Sequence, residues 1–102
     1  MIFVATLTYR VPMDQVEAAT ADHRAYVKTL HEQGKLLASG PFAPRVGGML
    51  MLQAGSRDEV DMMLVDDPFL DRGIATYEVR QWIPTIGQDA LEAMGAARPG
   101  TK

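Results

Sequence analysis

The order in which apolar residues change their spacing constrains this chain more than any other feature. Ile2 to Arg10 is rich in β-branched and aromatic residues and stops short of Pro12, which predicts a first strand. Val16, Ala19, Val27 and Leu30 then repeat at helical spacing, and His23 falls on the same stripe. This predicts a helix from about Asp14 to Gln33, with Asp14 and Glu17 at the spacing of a capping box and Gly34 as its left-handed stop. "KLLASGPF" reads as a second strand, "PRVGG" as a turn and "GGMLMLQA" as a third strand. Ser56 and Glu59 form another capping box, opening a helix that must end before Pro68. "FLDRG" reads as a loop, "IATYEVRQWIP" as a fourth strand, "QDALEAMG" as a short helix and "AARPGTK" as a frayed tail.

The resulting order, β-α-β-β-α-β, is the split βαβ arrangement of ferredoxin-like α+β folds. Right-handed crossovers place both helices on one face of a four-stranded antiparallel sheet. No repeat or linker interrupts the chain, so one domain is expected over residues 1–84, followed by a short helix and tail over 85–102. The opposite sheet face ought to be polar if it met water. It is not: Met49, Leu50, Met51 and Leu52 put apolar groups on both faces, as do Ile2, Phe3, Val4, Ala5 and Leu7. A bare apolar face predicts a homodimer with sheets packed face to face, a dimeric α+β barrel, with higher oligomers left open. The alternative is a monomer whose C-terminal helix covers that face.

Composition removes several function classes. The net charge of −3 gives no reason to expect nucleic acid or an anionic membrane as partner. The absence of cysteine removes disulfides, thiolate chemistry and iron–sulfur sites, and fits a reducing, cytoplasmic setting. The apolar N-terminus lacks the basic start and small-residue cleavage site of a signal peptide. No apolar run approaches the roughly 20 residues needed to span a bilayer.

His23 is the residue that demands an explanation, since an inward-facing histidine needs a partner. Asp67 is the candidate partner: it lies seven residues past Val60 and four past Met63, extending the inner face of the second helix. A carboxylate beside an imidazole fixes its tautomer and stabilises the protonated ring, which suits general acid/base work. The competing readings are a core histidine bonded to a carbonyl and an Asp that merely ends a helix before proline. Ser39 precedes Gly40-Pro41, but "ASGP" lacks the pattern of a nucleophile elbow, so a hydrolytic triad is disfavoured. Gly40 allows close backbone approach to a ligand, and Pro41 stiffens the turn. His23 and His31 are eight residues apart, not the i, i+4 pair that grips zinc, and no metal or cofactor is expected. His31 reads as a solvated residue at the helix C-terminus. Arg10, Arg24, Arg45 and Arg72 are scattered; one or two are suited to a substrate carboxylate, and the sequence does not choose among them.

Taken together, His23-x-x-Tyr26, Leu30, Gly34-x-Leu36-Leu37-x-x-Gly40-Pro41, Asp67-Pro68-Phe69 and Tyr77-Glu78-Val79 leading to Trp82 resemble the YciI-like (YCII-related) family. The resemblance runs from the first strand to Trp82. It implies a ferredoxin-like fold paired into a dimeric α+β barrel and a His–Asp pair as active site, carried by His23 and Asp67. Tyr26, Ser39, Gly40 and Pro41 are the expected substrate-binding positions. Activity where known in the family, and in muconolactone-isomerase-like relatives, is cofactor-free proton transfer, elimination or isomerisation on small ring compounds. The connection "APRVGG" is short beside this pattern, so the pocket wall built there is expected to be reduced.

The expectation is a cofactor-free lyase or isomerase in which His23 moves a proton and Asp67 orients it. One such group contributes on the order of 10²–10⁴-fold, so the substrate must already be activated: an acid, lactone or hydroxyaromatic, halogenated ones included. A non-catalytic protein that binds a small ligand in the same pocket, or acts as an accessory, is the alternative. A purely structural His–Asp hydrogen bond is the third reading.

Overall fold

The computed structural model describes residues 1–93 and 95. Its elements are β1 (Ile2–Tyr9), α1 (Met13–Glu32), β2 (Leu36–Pro41), β3 (Gly47–Gln53), α2 (Arg57–Val65), α3 (Pro68–Asp71), β4 (Ala75–Trp82) and α4 (Gln88–Ala93). The four strands form one sheet in the order β2-β3-β1-β4, with every neighbouring pair antiparallel. This is the expected ferredoxin-like α+β fold. The tail read over residues 96–102 lies outside the described residues.

Strand alternation decides where the core forms. Phe3, Ala5 and Leu7 of β1 share a face with Leu50 and Leu52 of β3, and all five are buried. The inner stripes of α1 (Val16, Ala19, Val27, Leu30) and α2 (Val60, Met63, Leu64) pack onto them as one core. On the reverse face, Val4 pairs with Met51 and Thr6 with Met49, all half-buried, and Ile2 pairs with exposed Trp82. Glu78 and Arg80 of β4 lie beside them and form an ion pair. After α4 the chain comes back to β3, where Gln53 donates to the Gly95 carbonyl at 3.5 Å.

Three local expectations need correction. Asp14 does not cap α1. The N-cap is Pro12, which offers no side-chain bond, and its carbonyl accepts the Gln15 and Val16 N–H groups at 3.0 and 3.2 Å. Asp14 already belongs to the first turn, where its charge faces the helix dipole. The Ser56 box forms in altered shape. Ser56 accepts the Glu59 N–H at 3.2 Å, while the Glu59 carboxylate reaches back to the N–H of Gly55, not of Ser56. The segment read as a loop after Asp67 contains the one-turn helix α3. Asp67 caps it and Pro68 occupies its first turn, a pairing with a known physical basis in the spare N–H groups there.

Gly34 ends α1 with φ +76°, as the left-handed stop requires. Gly47 meets β1 so closely that a Cβ there would lie 1.9 Å from the Leu7 carbonyl oxygen. This contact, with the Tyr9 N–H donating to the Val46 carbonyl at 3.1 Å, presses the β2–β3 connection against the sheet. Among the described residues, no helix is long and apolar enough to cross a membrane.

Candidate active site

The two residues singled out from the sequence meet in the structure. The inward stripe of α1 carries His23, 9% exposed, and the α2–α3 corner carries Asp67, fully buried. His23 Nδ1 lies 2.8 Å from Asp67 Oδ1. The same Oδ1 accepts the Phe69 backbone N–H at 3.0 Å, which is the α3 cap. Oδ2 accepts the phenolic hydrogen of Tyr77 from β4. A carboxylate removed from water needs this many donors to remain charged. With an ionised carboxylate as acceptor, His23 carries its hydrogen on Nδ1, leaving Nε2 as the nitrogen available to a ligand.

Packing fixes the imidazole further. Its ring stacks on Phe69 with centroids 4.0 Å apart and planes 5° from parallel, and Tyr9 meets Phe69 edge-on at 6.0 Å. The Tyr77 hydroxyl is held well above the ordinary phenol range, first by burial, then by the Asp67 charge and the hydrogen bond to it. Tyr77 is therefore a permanent donor to the carboxylate. Burial, with the charges of Asp66 and Asp67, also raises Tyr26.

Beside His23 opens a cleft of about 790 Å³, bounded by α1 and β2. Leu7, Val27, Leu50 and Phe69 give it apolar walls, and Ser39, Gly40 and Pro41 line it from β2. A Cβ on Gly40 would meet no atom within 4 Å. Asp67 does not line the cleft; it reaches a bound molecule only through His23. Tyr26 does not line it either. Its position three residues past His23 turns it toward α2, where its hydroxyl donates to the Met63 carbonyl at 2.6 Å. His31 is exposed in the last turn of α1, as the solvated reading has it; its Nδ1 also donates to the Leu36 carbonyl at 2.8 Å, and it lines the cleft. Among the described residues, no group of three or more His, Cys, Asp or Glu side chains is placed to hold a metal ion.

The sequence reading did not single out Tyr77 or Phe69 as site residues, and it named Arg45 only as one of four arginines suited to a substrate carboxylate. Tyr77 has a legible signal, because the alternation Ala75, Tyr77, Val79 puts it on the core face of β4 beside buried Leu7. Nothing in the sequence sets Arg45 apart from the other three, since its arrival at the cleft depends on the path of the connection after β2.

A ferredoxin-like domain with a buried His–Asp pair opening onto an apolar cleft defines the class. The chain belongs to the YCII-related domain family, whose match covers residues 1–83. Among solved structures it is similar to 5-chloro-2-hydroxyhydroquinone dehydrochlorinase (TftG) from Burkholderia phenoliruptrix AC1100, in complex with 2,5-dihydroxybenzoquinone. The TM-score is 0.70 at 28% identity, over 81% of this chain and 94% of that one. No curated protein sequence matches significantly.

Proposed function

We propose that the protein is a small cofactor-independent lyase or isomerase in which His23 is the catalytic acid/base and Asp67 its positioning partner. The observation that carries this is the 2.8 Å bond from His23 Nδ1 to a fully buried Asp67, with the ring itself lining the cleft. Nε2 takes a proton from the substrate, the released electron pair forms a new double bond, and either a leaving group departs or the proton returns elsewhere. Asp67 stabilises the imidazolium between those events. Ser39, Gly40 and Pro41 contact the substrate, while Tyr26 joins α1 to α2. The substrate is an activated acid, lactone or hydroxyaromatic; the dehydrochlorinase similarity supports a chlorinated hydroxyaromatic within that group. The working unit is a homodimer joined through the reverse face of the sheet, where Val4, Met49 and Met51 lie, in a cytoplasmic setting.

The test is turnover of chlorinated hydroxyhydroquinones and of muconolactone-type lactones, followed by chloride release and ultraviolet absorbance. His23→Ala is expected to lower turnover on the order of 10²–10⁴-fold and to keep most ligand affinity. Binding of these compounds by the native protein with no turnover of any would reject catalysis and leave a sequestering or accessory role.

A further inference from the structure

The chain carries 13 acidic side chains against 10 basic ones, yet among the described residues no Asp or Glu lines the cleft. Arg24, Lys28 and Arg45 do line it. Arg24, Lys28 and His31 follow one another at i, i+4 and i+7, so they form a single stripe of α1 next to the stripe that bears His23. Like charges four residues apart repel on a helix. Among the described residues the ion pairs are His23–Asp67, Arg57–Asp61, Arg72–Asp22 and Arg80–Glu78; Arg24, Lys28 and Arg45 take part in none of them.

Arg45 comes to the cleft from the β2–β3 connection. Its connection is pinned to β1 through Gly47 and Val46, and its guanidinium rests on two neutral hydroxyls, Tyr9 and Thr20, each at 3.4 Å. Both contacts are long, and both partners are uncharged. The remaining N–H donors of the fork are available in the geometry that suits a carboxylate or an ionised hydroxyl. The structure also discriminates among the scattered arginines: Arg10 is bonded to Thr76 and Arg72 to Asp22.

We propose that Arg45, together with Arg24 and Lys28 of the same cleft lining, anchors the negative charge of a substrate that binds as an organic anion with an apolar ring or chain. The apolar walls take its body and the cationic rim takes its charged group. A cleft lined by one sign of charge concentrates its field on such a ligand, even in a protein of net charge −3. The short β2–β3 connection thus supplies the residue that selects the substrate. This rests on the reading of the cleft as a substrate site, and it deepens that reading without depending on turnover.

Calorimetric titration of the purified protein tests it with two acids and their neutral counterparts. The acids are 2,5-dihydroxybenzoquinone and 2,5-dihydroxybenzoate; the counterparts are 2,5-dimethoxybenzoquinone and methyl 2,5-dihydroxybenzoate. At least one acid is expected to bind about tenfold or more tightly than its counterpart, and less tightly as salt rises. Arg45→Gln should weaken that acid about tenfold and leave the neutral compound unchanged, with Arg45→Lys intermediate. A thermal melt of Arg45→Gln that matches the native one confirms an intact fold. His23→Ala should retain the preference for the acid. Equal binding of acid and counterpart, native affinity in Arg45→Gln, or binding of none of the four would overturn the proposal. Selective acid binding without turnover sinks only the acid/base reading. Turnover of a neutral lactone without acid binding sinks only the anion anchor.

Discussion

Tyr77 holds one oxygen of Asp67 while His23 holds the other, so a residue on β4 sets the carboxylate that sets the imidazole on α1. Tyr77→Phe removes a donor from a buried charge and should cost about 1–3 kcal/mol in chemical denaturation. The hydroxyl also makes stability depend on pH. Its folded-state pKa is raised above the ordinary 10.0, so the folded protein keeps a proton that the unfolded chain releases. The unfolded state then binds fewer protons, and stability falls as pH rises. The contribution is present in full below about pH 10 and is lost above it. The native melting temperature should therefore decline more steeply than that of Tyr77→Phe across alkaline pH.

Asp67→Asn separates catalysis from architecture. Asn can still accept the Phe69 N–H, but it no longer offers a charge to the imidazole. Turnover should fall on the order of 10²–10⁴-fold through kcat, with KM nearly unchanged. Loss of thermal stability with unaltered turnover would reduce the pair to a structural hydrogen bond.

Helix capping gives a test that needs no substrate. Ser56→Ala should destabilise the protein by about 1 kcal/mol, since Ser56 accepts the Glu59 N–H. Asp14→Ala, at a position that caps nothing, should cost a few tenths, roughly the first-turn dipole effect. Equal costs in urea denaturation would show the two positions to be alike.

That contrast explains how much of the fold was legible. Strand order, both long helices and the shared core face follow from the spacing of apolar residues, a signal repeated many times over. A cap is a single choice between neighbours: Asp14 and Pro12 compete for one position, and the local spacing favours Asp14 while the backbone path selects Pro12. The Asp67-Pro68 step was legible as the end of α2, but the same dipeptide also begins α3. His23 and Asp67 were readable because each interrupts or extends an apolar stripe. Arg45 interrupts nothing, and only the pressing of its connection onto β1 brings it to the cleft.

The dimer has a direct test on the reverse sheet face. Met49→Glu places a charge opposite Thr6, at half-buried positions away from the core. If two sheets pack there, sedimentation velocity should show the native protein as a dimer and Met49→Glu as a monomer with its fold intact. A native monomer would reject this mode of assembly.

The carboxyl group of Asp67 serves three masters, a backbone amide in α3, the phenol on β4 and the histidine ring. A one-turn helix cannot persist without such support. Selection for folding alone is then enough to retain the acid, whereas under the proposed function the imidazole answers to selection for chemistry as well as for packing. If the proposed reaction is lost in a lineage, His23 should be replaced more readily than Asp67, leaving an aspartate-bearing corner as the fossil of the site.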